Sequence, residues 1–131
     1  MTSTLGRNDT VPGQRWTYED VPGPRLAEVP VYVLTSGFSF SAAESFTFGL
    51  KINDRITQVG ERIGGGGYWG QEVDLGHRFV AFVPEGRTFD PETGEAWEAE
   101  GLEPDLAVPH AEALDTALAD ARQRIGSESS N

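Results

Sequence analysis

The chain has no cysteine, one methionine, two histidines, and ten Lys and Arg against twenty-one Asp and Glu. Without cysteine there is no disulfide, no thiolate nucleophile and no thiolate ligand, and nothing indicates a redox compartment. His77 and His110 stand alone, with no second His at helical spacing, so a metal centre is not expected. The formal net charge is −11 and the basic residues are scattered. A nucleic-acid partner is therefore not expected, because phosphate binding needs clustered Lys and Arg. No apolar run approaches the roughly eighteen residues that cross a bilayer, and Met1 opens no charged, apolar, small-residue signal pattern. No membrane-spanning segment and no cofactor is expected; compartment and self-association stay open.

What remains fits one folded domain of 131 residues, with 37% hydrophobic residues diluted by sixteen glycines. Three stretches are expected: an extended arm over residues 1–29, a folded part over 30–125 and a disordered polar tail over 126–131. Pro12, Pro22 and Pro24, with Pro30 just after, interrupt any helical or strand period in the arm. Trp16 and Tyr18 are expected either to pin it to the domain or to lie on an exposed tether.

Val31 to Thr35 is short, apolar and β-branched, as a parallel strand covered on both faces would be. From Ser41 to Asn53, Ala42, Phe46, Gly49 and Leu50 recur at helical spacing, and Ala43, Phe48 and Ile52 widen a sector expected to be buried. Ile56 to Val59 then completes a βαβ unit. Tyr68 to Leu75 and Arg78 to Pro84 read as a hairpin around Gly76-His77, and Asp90 to Gly94 as a turn. A short strand over Leu106 to Val108 precedes a helical stripe of Leu114, Ala117, Leu118, Ala121 and Ile125.

Ser41 falls at the start of the first helix, where backbone N–H groups are unpaired and the dipole is positive, so an oxyanion formed there would be stabilised. Ser41-Ala42-Ala43-Glu44 is equally a capping box, the hydroxyl and the carboxylate each satisfying the other's backbone. Ser36 and Ser39 are rival nucleophiles, and no base is evident. Gly64 to Gly67 lacks the Lys-Ser/Thr ending of a phosphate loop and serves a turn or a close approach to a ligand. Tyr68, Trp69, Phe79 and Phe82 are candidates to line an apolar groove, which leaves a non-catalytic peptide- or apolar-ligand-binding module as the alternative function.

Three segments in order, SFSAAE, Gly60-Glu61 with its glycine run, and DPETGEAWEAEGLEPDLAVP, resemble the tail-specific (carboxy-terminal processing) serine peptidases. The resemblance is to the branch that includes the tricorn core and interphotoreceptor retinoid-binding protein, and covers residues 15–124. It implies an α/β fold, the carboxy-terminal portion of a ClpP/crotonase-like spiral ββα core, and a serine-type endopeptidase acting on a peptide or protein substrate. It makes Ser41 the nucleophile, the Ala42 N–H half of the oxyanion hole, and Glu98 the carboxylate that assists the charge network, with Glu100 the neighbouring candidate. Gly65, Gly66 and Tyr68 become substrate-binding positions. Gly66 stands about where one branch of the family carries a catalytic Lys, so a Ser-Lys dyad is not expected there. A histidine and a second oxyanion donor, which the family takes from an upstream region, have no counterpart in Met1 to Val29. The resemblance thus implies the carboxy-terminal half of a catalytic domain.

Overall fold

The computed structural model describes residues 1–128. A three-stranded parallel sheet is built from β3 (Tyr32–Thr35), β4 (Thr57–Gly60) and β7 (Leu106–Ala107), in the order β3-β4-β7. Between β3 and β4 the chain passes through α1 (Ala42–Lys51), which gives the expected βαβ unit. After β7, one turn of 3₁₀ helix at His110–Glu112 leads into α2 (Ala113–Glu128).

Alternation along β4 assigns the two helices to opposite faces of this sheet. Val59 is fully buried with Ala113 and Ala117 of α2, and Tyr32, Leu106 and Val108 pack around them. Ala113 and Ala117 are four residues apart, and their small side chains let α2 approach the sheet closely. The Tyr32 hydroxyl donates to Asp120 Oδ2 at 2.6 Å, and Asp120 in turn pairs with Arg124 at 2.7 Å. Gln58, also fully buried, faces the other way. Its Nε2 donates to Thr35 Oγ1 at 3.2 Å, and its Oε1 accepts from Lys51 Nζ at 3.2 Å, at the end of α1. Lys51 also pairs with Asp105 at 2.9 Å, and Asp105 Oδ2 accepts the Gln58 N–H at 2.7 Å. A buried polar residue is tolerable when its groups are paired, and here they are.

The second sheet is antiparallel, in the order β2-β1-β6-β5, from β1 (Thr2–Gly6), β2 (Gly13–Arg15), β5 (Tyr68–Gly76) and β6 (Phe79–Phe89). Two strands therefore lie inside the stretch read as an arm, with β1 between β2 and β6. The proline argument holds only further on: residues 16–31 contain no strand or helix, and Trp16 and Tyr18 are exposed rather than anchoring. Ser3 is buried, and the Met1 amino group donates to Asn53 Oδ1 just after α1 at 3.1 Å, so β1 lies against that helix.

Several expectations are corrected. Strand β3 is parallel but lies at a sheet edge, with Leu34 exposed. Helix α1 buries Glu44, Thr47 and Phe48, while Phe46 is exposed, so its inner face is turned away from the predicted stripe. Phe48 meets the buried Trp97 ring at 4.6 Å between centroids. In α2 the buried seam is Ala113 and Ala117, not Leu114, Leu118 and Ile125. That helix also continues through Gly126 to Glu128, into the predicted tail, whose residues 129–131 lie outside the described residues. The hairpin turns at His77-Arg78, one residue later than predicted; both have positive φ, 52° and 70°, as a two-residue turn matched to strand twist requires. The Asp90 turn forms as expected, with the Gly94 N–H donating to the Asp90 carbonyl at 2.8 Å.

Gly60 ends β4 at φ +127°, where an added Cβ would collide with the Thr35 carbonyl oxygen. This tight crossing delivers Glu61 to the end of β3. Glu61 accepts the Gly37 N–H at 3.0 Å on Oε2, and the His110 N–H at 3.0 Å and its Nδ1 at 3.1 Å on Oε1. The backbone donors of Gly37 and His110, then the His110 ring, hold the Glu61 carboxyl down to about 2. One carboxylate thus ties the turn after β3 to the start of α2.

Val59→Ala removes two methyl groups from the seam against α2 and is expected to cost about 2 kcal/mol in denaturant unfolding. The lowered carboxyl pKa means that Glu61 adds stability fully present above its ordinary 4.5 and lost as pH falls from there toward 2. Acid unfolding of Glu61→Gln should therefore show a weaker pH dependence across that interval than the parent chain, while the parent's advantage persists near neutrality.

Candidate active site

Strand β3 runs into a turn closed by its own serines. The Ser36 N–H donates to Ser39 Oγ at 3.1 Å, the Phe38 N–H to Ser36 Oγ at 3.3 Å, and the Ser39 N–H to the Ser36 carbonyl at 2.9 Å. Both rival hydroxyls are thereby used to shape the turn. They share a cavity of about 210 Å³ with His110, but no hydrogen bond joins either hydroxyl to the imidazole.

Ser41 follows as the N-cap of α1, with φ 56° and ψ −110°. This is an unfavourable conformation for a residue with a Cβ, and such strain persists only where the surroundings enforce it. The enforcing contact is Glu44 Oε2, which accepts the Ser41 N–H at 2.6 Å. Both halves of the capping box are in place, the Ser41 side chain facing the Glu44 N–H and the Glu44 carboxylate accepting the Ser41 N–H, and Ser41 remains exposed. The Ala42 N–H donates no hydrogen bond among the described residues. An exposed hydroxyl thus stands beside an unpaired amide donor at a helix start.

Glu44 is fully buried, and it also reaches the glycine run: the Gly65 N–H donates to Oε1 at 2.6 Å and the Gly66 N–H to Oε2 at 2.9 Å. Glu98 continues the pattern, its Oε2 accepting the N–H groups of Gly67 at 2.7 Å and Tyr68 at 2.8 Å. Four successive backbone donors are held by two carboxylates. Phe40 lies so close to Gly66 that an added Cβ there would collide with its ring. Glycine is needed at this position because an aromatic side chain lies over the backbone.

Two adjoining hollows share Ser41, Gly66, Tyr68 and Phe82. One, of about 490 Å³, also takes in Arg15, Ala42, Ser45, Trp69, Thr88 and Trp97. The other, of about 330 Å³, takes in Phe40, Gly65, Pro84 and Glu98. Ser41, Ala42, Gly65, Gly66, Tyr68 and Glu98 are thus all brought to one place. Glu98 shares a wall with Ser41 without a hydrogen bond to it, its recorded partners being backbone N–H groups. Of the four aromatics expected in a groove, Tyr68, Trp69 and Phe82 line it, while Phe79 sits beside the hairpin turn. Neither His nor Lys lines either hollow, and among the described residues no His/Cys/Asp/Glu group could hold a metal ion.

Sequence reasoning found half of Glu44's role through the capping box; nothing in the local pattern tied it to the glycine run 21 residues away. Arg15, which lines the larger hollow, carries no signal in the sequence, being a lone Arg in a proline-interrupted stretch.

The family model of peptidase family S41 matches residues 3–108. Among solved structures, the photosystem II D1 C-terminal processing protease is 30% identical over 62% of this chain, at a TM-score of 0.51, the match taking in 21% of that chain. Mature CPAF is 28% identical over 64% of this chain and 17% of its own, at 0.55. A lipoprotein from Streptococcus agalactiae shares the fold at 0.58 and 19% identity, covering 73% of this chain and 32% of that one. The match therefore spans about a fifth of the length of the two proteases. With its strand-turn-helix, glycine run and following segment all inside the matched range, the chain belongs to peptidase family S41.

Proposed function

We propose that this chain carries the nucleophile-bearing part of a serine-type endopeptidase, with Ser41 as the acyl-forming residue. The observation that supports it best is the strained Ser41 backbone at the start of α1, with an exposed side chain in the wall of both hollows and the unpaired Ala42 N–H beside it. In this reading the parallel sheet with α1 and α2 is the carboxy-terminal portion of a ClpP/crotonase-like core.

Ser41 Oγ attacks the carbonyl carbon of a peptide bond, and its proton passes to a base. The resulting oxyanion is met by the Ala42 N–H and the positive end of α1. The carbonyl then re-forms as the base passes the proton to the departing amine, and water, giving a proton to the same base, hydrolyses the ester and the proton returns to Ser41 Oγ. The Gly65 and Gly66 N–H groups are not available as the second oxyanion donor, since Glu44 holds both. They shape the wall along which the substrate lies, with Tyr68 beside them. Glu98 acts by fixing Gly67 and Tyr68 and by lending its charge to the network around the base. That base comes from outside residues 1–128, because no His or Lys lines the hollows at Ser41. The similarity to the D1 C-terminal processing protease favours a protein chain as substrate.

A missing base lowers reactivity by about 10³-fold or more without removing the nucleophile. A fluorophosphonate probe is therefore expected to label Ser41 slowly in this chain, and faster as imidazole is added to take the proton. Peptide mass spectrometry should place the adduct on Ser41 and find none in Ser41→Ala; an adduct on Ser36, Ser39 or Ser45, or one that survives Ser41→Ala, overturns the reading. Glu44→Gln replaces one acceptor oxygen with an NH₂ group that faces backbone donors. It should cost about 1–3 kcal/mol of stability and slow Ser41 labelling at least tenfold under conditions where the variant stays folded.

A further inference from the structure

We propose that α2 pairs antiparallel, about a two-fold axis, with the α2 of a second copy of this chain, through a stripe of Leu114, Leu118, Ala121 and Ile125. None of these residues lines the hollows at Ser41, so the pairing is independent of the peptidase reading.

Helix α2 packs on its own domain with its small side chains. Ala113 and Ala117 enter the seam with Val59, while Leu114 is 56% exposed, Leu118 42% and Ile125 60%. The stabilisation from burial grows with apolar area, so a helix with a single contact to make would turn its leucines inward. Here the inward face takes the residues that allow close approach to the sheet, and the large ones are left to a second contact. A contiguous apolar patch on a folded chain marks such a contact. Leu114, Leu118, Ala121 and Ile125 recur at intervals of four, three and four residues, the spacing of a two-helix seam. From first to last they cover about 16 Å of helix axis.

The charges beside the stripe identify the occupant as a second copy. Asp115 and Arg122 each follow a stripe residue by one position and lie seven residues apart, so they stand on the same border of the stripe. Both are exposed, and neither forms an ion pair within its own chain among the described residues. In an antiparallel pair, Leu114 of one copy lies opposite Ile125 of the other, and Leu118 opposite Ala121. That register sets Asp115 of each copy beside Arg122 of the other, and the two-fold axis makes the contact twice. Parallel pairing would instead set Asp115 on Asp115 and Arg122 on Arg122, which like-charge repulsion opposes. Asp120 and Arg124 do not compete for these partners, because they pair with each other at 2.7 Å and Asp120 accepts the Tyr32 hydroxyl. The net charge of −11 repels two copies at long range. At physiological salt that repulsion is screened beyond about 8 Å, while the ion pairs act at contact.

Sedimentation velocity of the whole chain, in about 0.15 M salt and from about 5 to 500 μM, is expected to show monomer passing to dimer, since a helix contact three turns long is small for an interface and dissociates on dilution. Leu118→Lys, at an exposed position, should keep the melting temperature and weaken the dimer at least tenfold. Asp115→Arg and Arg122→Asp should each weaken it about tenfold, and the double variant carrying both changes should associate as the parent does. A general effect of net charge would instead make Asp115→Arg, which is less negative than the parent, associate more tightly. A chain that stays monomeric throughout leaves the stripe to some other segment or protein and overturns the proposal. So does a dimer that survives Leu118→Lys, a tighter dimer in Asp115→Arg, or a folded double variant in which association is not restored.

Discussion

A single buried carboxylate holds the site together. Glu44 has no exposed surface, and burying such a group is expensive unless its oxygens are hydrogen-bonded. Its three recorded partners are backbone N–H groups, one from its own helix start at Ser41 and two from the glycine run at Gly65 and Gly66. The requirement to satisfy Glu44 therefore brings a loop after β4 to the beginning of α1. It also fixes the unusual backbone of Ser41, because the N–H that Glu44 accepts belongs to that residue. Capping of α1 and placement of the Ser41 side chain at the hollow are then one interaction: the capping box is made, and Ser41 stays exposed.

Around this point the structure repeats the device of a carboxylate gathering backbone donors. Glu98 takes the next two N–H groups of the run, and Glu61 ties the turn after β3 to the start of α2. Segments without regular secondary structure, which carry many unpaired backbone groups, are in this way fixed without a sheet ladder. The excess of acidic residues is partly explained by this. Asp105, bonded to the Gln58 N–H and paired with Lys51, does the same for the segment that enters β7.

The apolar core is correspondingly divided. One part is the seam of Val59 with Ala113 and Ala117 of α2; the other is the stack of Phe48 on Trp97 beneath α1. The first fixes the scaffold and the second underlies the hollow at Ser41, whose wall includes Trp97. Small residues on α2 allow the first to be tight. Large aromatics near Ser41 leave the second with room beside it.

Much of the local structure was legible in the sequence. The β-branched run of β3, the Ser41 capping box, the Asp90 turn and the parallel βαβ unit each follow from residues within a few positions of one another, and so survived folding. The order of three short segments was enough to indicate the family. What needed the tertiary structure was every decision between faces and partners. Phe46 and Phe48 both fit an apolar helix sector, and only the position of Trp97 buries the second. The strands β1 and β2 form because β6 offers β1 a partner more than 80 residues away, which no local propensity encodes. The same holds for the hollow: the sequence places Ser41 at a helix start, while the meeting of Glu44 with Gly65 and Gly66, and of Arg15 with the Ser41 hollow, depends on which distant backbone donors and side chains the fold brings within reach.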